Sequence, residues 1–99
     1  MLTHSLIVKI VAKEDRAEEV AEFLRGALTL AEKEVFTPVW LAMRADDTTF
    51  YVVDAFAGES DRQRHLEGDI ASALMASADE LLAESPSISP VDVLASKTI

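Results

Sequence analysis

The chain contains no cysteine. A disulfide scaffold, a thiolate metal site and a thiol nucleophile are therefore excluded. Glycine is reduced to three isolated residues, Gly26, Gly58 and Gly68, so there is no glycine-rich phosphate loop. The two histidines, His4 and His65, are far apart and lack a paired-ligand spacing, so no metal centre is expected. No serine stands in a nucleophile elbow. No apolar run approaches the ~20 residues of a membrane span. The first ten residues carry no basic segment ahead of their apolar run, unlike a signal peptide, and a cytoplasmic protein is the expectation. Positive charge is also scarce: 9 basic residues face 18 acidic ones, for a net charge of −9. Such a surface repels phosphate backbones and anionic headgroups, so neither nucleic acid nor membrane is an expected partner.

What remains suits one domain spanning residues 1–99. A chain of this length buries roughly 65% of its unfolded surface, enough for a single core. Hydrophobic residues make up 49% of it, which rules out disorder and leaves apolar surface for a subunit interface.

Leu6 to Lys13 reads as a strand with two largely apolar faces, Leu6, Val8, Ile10 and Ala12 on one of them. Asp15 with Glu18 suggests a capping box, followed by a helix from about Arg16 to Glu34. Its apolar stripe is Val20, Phe23, Leu24, Ala27, Leu28 and Ala31. Pro38 to Ala45 and Thr49 to Phe56 read as strands joined by a tight turn at Asp46-Asp47-Thr48. Ser60 with Gln63 suggests a second capping box and a short helix to about Glu67. Gly68 breaks it, Asp69 can cap the longer helix that follows, and Ser85-Pro86 stops that helix. Ser87 to Ala95 is the last strand.

The resulting β-α-β-β-α-β order predicts an α+β, ferredoxin-like domain with a four-stranded antiparallel sheet. In the strand order 4-1-3-2 the second and fourth strands form the edges, and Pro38 and Pro90 fall in those two, where proline is tolerated. Helices on one face leave the other bare. An apolar bare face predicts a homodimer paired through the sheet, a dimeric α/β barrel.

The chain resembles the antibiotic-biosynthesis-monooxygenase-like family over nearly its whole length. The resemblance rests on the opening strand ending in Lys13, the long acidic helix, the acid-x-aromatic pattern Asp54-Ala55-Phe56, and His65-Leu66 nine residues later. The family more often has Glu and Trp where this chain has Asp54 and Phe56. The resemblance implies a pocket between sheet and helices in each subunit. It also implies oxidation of an aromatic, polyketide or quinol-like small molecule by molecular oxygen, with no metal, flavin or other cofactor. Haem-degrading members use Asn, Trp and His residues that fall on Ile7, His65 and Met75, so haem degradation is set aside. The chain has no asparagine, on which the cofactor-free polyketide oxygenases rely, and the family's frequent second histidine falls on Ile70.

His65 is the leading catalytic candidate, because an imidazole near neutral pKa can take a proton from a phenol or hydroquinone. Its alternative is a purely structural bridge between helix and strand. Asp54, in a central strand between Val52 and Phe56, needs a partner from among Arg44, Arg62, Arg64 and His65. It is either an orienter of His65, a base in its own right or a structural ion-pair residue. Trp40, Phe50, Tyr51 and Phe56 are the candidate lining for a flat aromatic ligand, or else ordinary core. Alternatives to a monooxygenase are a non-catalytic ligand-binding or structural homodimer and an isomerase-type use of the same pocket.

Overall fold

A computed structural model describes residues 1–99. Strand β1 (His4–Val11) is followed by a 3₁₀ turn at Glu14–Arg16 and by helix α1 (Ala17–Lys33). Strands β2 (Val39–Arg44) and β3 (Thr49–Phe56) form a hairpin. Helices α2 (Glu59–Leu66) and α3 (Asp69–Leu81) and strand β4 (Ser87–Asp92) complete the chain. The sheet runs β2-β3-β1-β4 with every neighbouring pair antiparallel, which is the expected ferredoxin-like arrangement. Pro90 lies in edge strand β4; Pro38 flanks β2 rather than lying inside it.

The elements form for local reasons. In the β2–β3 turn the Asp46 carboxylate accepts from the backbone N–H groups of Thr48 and Thr49, at 3.0 and 2.8 Å. Those bonds, the Thr48 one foremost, hold its carboxyl below the usual carboxylate range. No helix is capped by a side chain, contrary to the expectation for Asp15, Ser60 and Asp69. Asp15 sits inside the 3₁₀ turn, and Ser60 and Asp69 already lie within α2 and α3, whose N-caps are Gly58 and Gly68. Acidic residues in these first turns, such as Glu18, Glu59 and Asp69, instead complement the helix dipoles.

The helices cover one sheet face. Ile10 and Phe50 on that face are at most 2% exposed and pack with Val20, Leu24 and Leu81 of the helices, and Leu6 on the same face is as deeply buried. Leu28, expected in the buried stripe of α1, is 49% exposed, because it lies at the flank of the helix beside edge strand β2. The opposite sheet face has no helical cover. Ile7, Leu41 and Met43 are exposed on it, with Tyr51, Val53 and Val91 half-buried among them. No helix is long and apolar enough to cross a membrane.

A buried carboxylate–imidazole–carboxylate cluster beside an apolar cavity

Strand alternation turns Asp54 of β3 toward the helices, between Leu6 of β1 and Trp40 of β2. Its side chain has no exposure. A carboxylate in such a setting requires a counter-charge. The short helix α2 supplies it: His65 is the one buried residue of that mostly polar helix. His65 Nε2 stands 3.0 Å from Asp54 Oδ2. The approach is off the line of a good hydrogen bond, and neither Asp54 oxygen has an aligned donor. Phe56 packs against the imidazole at 5.4 Å between ring centres.

The other ring nitrogen is firmly held. His65 Nδ1 lies 2.7 Å from Glu34 Oε1, whose side chain is only 10% exposed. Thr37 Oγ1 donates to the same Glu34 oxygen at 2.8 Å. Glu34 follows α1 directly, in the turn closed by Thr37 N–H to the Glu34 carbonyl. Its second oxygen rests against Gly68, where an added Cβ would come within 2.8 Å of it. The helix break at Gly68 therefore leaves room for the carboxylate that orients His65. Hydrogen bonding at Nδ1 fixes that nitrogen as the N–H donor and leaves Nε2 as the proton-accepting position of the neutral ring.

Burial is the largest single influence on His65 and lowers its pKa. Asp54, by its nearness and charge, and Glu34, by its hydrogen bond and charge, together outweigh it and raise the imidazole above its ordinary 6.5. Each carboxylate faces a different ring nitrogen, and no three His, Cys, Asp or Glu side chains converge as metal ligands.

His65 also stands at the wall of a small cavity between sheet and helices, of about 50 Å³. The other lining is apolar: Leu6, Val8 and Val52 from the sheet floor, Leu24 from α1, and Ile70 and Leu74 from α3 are among it. Of the four aromatic candidates only Trp40 lines this cavity. Phe50 and Phe56 are buried in the packing between helices and sheet, and Tyr51 lies on the bare face, because odd-numbered residues of β3 point away from the helices. Of the possible partners for Asp54, Arg44 pairs with Glu18, Arg64 lies over the Phe36 ring, and Arg62 donates to the backbone carbonyls of Ser5 and Val91. The sequence reading missed Glu34. The only signal available was a carboxylate at the end of the helix, three residues before a threonine able to support it.

No protein-family model and no curated protein matches the chain. Solved structures do. A protein of unknown function from Nitrosomonas europaea is 44% identical, with a TM-score of 0.98 over 100% of this chain and 96% of that one. A “putative antibiotic biosynthesis monooxygenase” from the same organism is 19% identical, with a TM-score of 0.82 over 93% of this chain and 90% of that one. Another protein so described, from Caulobacter crescentus, is 15% identical, with a TM-score of 0.81 over 95% and 92%.

The cluster makes stability depend on pH. The folded state holds the His65 proton more tightly than the unfolded chain does. The stabilisation is therefore complete below about pH 6.5 and is lost as pH rises through the higher folded value. Denaturant unfolding measured across that window should show stability falling with rising pH, and falling less in Glu34→Gln. His65→Ala, which strands Asp54 without a counter-charge, should cost about 3–5 kcal/mol.

Proposed function

Because this chain belongs to the family of the 44%-identical Nitrosomonas europaea protein and has the antibiotic-biosynthesis-monooxygenase-like fold, we propose that it is a cofactor-independent monooxygenase of a small aromatic, quinol-like molecule. The observation that carries this reading is an oriented imidazole at the wall of an otherwise apolar cavity. Glu34 fixes the ring through Nδ1, and Nε2 takes a proton from a hydroxyl of the bound molecule. Asp54 and Glu34 then stabilise the imidazolium that forms. The apolar walls hold the flat ring and keep water away from the resulting anion. That electron-rich anion reacts directly with molecular oxygen. For an anthrone in its enol form, one oxygen atom ends in the quinone carbonyl and the other leaves as water.

A second reading is a dimer that binds such a molecule without transforming it. The closeness of Asp54 to Nε2 favours it, since a carboxylate there competes with the ligand for the imidazolium. In both readings the working unit is a homodimer. The bare sheet face carries exposed Ile7, Leu41 and Met43, and pairing with the same face of a second copy removes them from water.

Oxygen uptake with a panel of hydroquinones and anthrones tests the first reading. At least one compound should support uptake, with a rate that rises as pH passes upward through a value above 6.5, because only the neutral imidazole accepts a proton. His65→Gln should lower the rate roughly 100-fold or more. No uptake on any compound, or uptake unchanged in His65→Gln, would leave the binding dimer as the better account. Sedimentation at micromolar concentration should give a dimer, and Leu41→Glu with Met43→Glu should give single subunits. Single subunits from the unaltered chain would overturn the sheet-face pairing.

A further inference from the structure

The cavity at His65 is smaller than the molecules its chemistry suits. Its space is about 50 Å³. A single benzene ring takes up a void of about 150 Å³. Even a one-ring phenol or hydroquinone therefore enters only if a wall moves. Most of the walls are fixed. The floor belongs to β1 and β3, paired along their whole length from His4–Phe56 to Val11–Thr49. Strand β4 is laddered to β1, and Arg62 donates to its Val91 carbonyl. Helix α1 buries Val20, Ala21, Leu24 and Ala27, and α2 is held through His65 to Glu34 and Asp54.

Helix α3 is different. Of its 13 residues only Ile70 and Leu81 are buried. Its C-terminal end is fastened to the segment after β1. The Lys13 N–H donates to the Leu81 carbonyl at 2.9 Å, Lys13 Nζ donates to the Asp79 carbonyl at 2.7 Å, and Arg16 pairs with Glu80 at 3.1 Å. Its side-chain ties to other elements all lie at that end. The N-terminal half is held by hydrocarbon: Ile70 packs with Ala27 and Ala31 in a small cluster apart from the main core. Between these two attachments, Ala71, Leu74 and Met75 roof the cavity. Met75 and, across from it on β4, Ile88 line the cavity and are also 55% and 42% exposed, so its rim lies between them.

We propose that α3 is a hinged lid: its N-terminal half swings outward about the fastened end at Leu81, and an aromatic ring passes between Met75 and Ile88 to His65. The inference rests on the reading of the cavity as the site of proton transfer and adds how a ligand reaches it. Ile70 is the latch, and it leaves Ala27 and Ala31 as the lid opens. The break at Gly68 separates α3 from α2, so the lid moves while α2 keeps His65 on its two carboxylates. With the ring seated, α3 rests on the ring rather than on the sheet floor, and the ligand's affinity is reduced by the fraction of molecules that are closed.

The chain has no cysteine, so one engineered disulfide pins the lid without competing pairings. Ile70→Cys combined with Ala27→Cys, or with Ala31→Cys, puts two thiols where packed side chains now meet. Reduced and oxidised forms of the same protein are then compared, with 2-naphthol as the probe. The unaltered and the reduced proteins should bind it. The oxidised protein should bind at least about tenfold more weakly, and a reductant should restore binding. Equal binding by the two forms overturns the lid and leaves the cavity reading in place. No binding by the unaltered protein removes the cavity reading and the lid with it. If neither cysteine pair closes, or the reduced variants do not fold or bind, the unaltered protein decides. Nuclear Overhauser contacts between the Ile70 methyls and those of Ala27 and Ala31 should weaken when 2-naphthol saturates the protein; contacts that keep their full strength overturn the proposal.

Discussion

Everything at the site follows from one carboxylate placed where water does not reach. Asp54 lies in the centre of the sheet, between Leu6 and Trp40, under the helices. Its charge has to be answered, and His65 answers it from α2. That makes His65 the buried anchor of a helix with little else to bury. His65 in turn engages Glu34 in the turn after α1, with Thr37 supporting the same oxygen. One charge thereby ties β3, α2 and the end of α1 together. Buried ion clusters of this kind seldom add net stability over well-packed hydrocarbon.

The arrangement sets two demands against each other. Glu34 and Asp54 favour the imidazolium, which binds the fold most firmly when protonated. The base proposed for His65 needs the opposite state. The same two carboxylates that hold the ring in place therefore push its working range toward higher pH, where the cluster contributes least to stability. Such opposition between a stable resting form and a reactive one is common where charged groups are buried for chemistry. The cavity wall works the other way: by excluding water from the ring it lowers the affinity of the imidazole for a proton.

The architecture was legible because period-two and helical patterns are local. The alternation of Leu6, Val8 and Ile10 matched the buried face of β1, and the prolines marked the sheet edges. Helix starts were less legible. Ser60 and Asp69 have the right chemistry for caps, but Gly58 and Gly68 adopt the cap positions one or two residues earlier. His65 and Asp54 stood out as a histidine in the second helical segment and an acid in an apolar strand. Glu34 did not, because it is one acid among many along α1, and only the chain reversal after Lys33 brings it to His65. Gly68 reads as a helix breaker in sequence. Its closeness to Glu34 is a tertiary fact. Among the aromatics, strand parity already placed Tyr51 on the face opposite Phe50, while the division of Trp40 from Phe50 and Phe56 depended on where the helices lie.

The site depends on His65 standing between two buried carboxylates that favour its protonated form. The most direct measurement is the NMR titration of its ring protons in the unaltered protein, distinguished from His4 by substitution of the latter. The account requires a midpoint above 6.5 that moves down when Glu34 is replaced by Gln. A midpoint at or below 6.5, or one indifferent to Glu34, would contradict it.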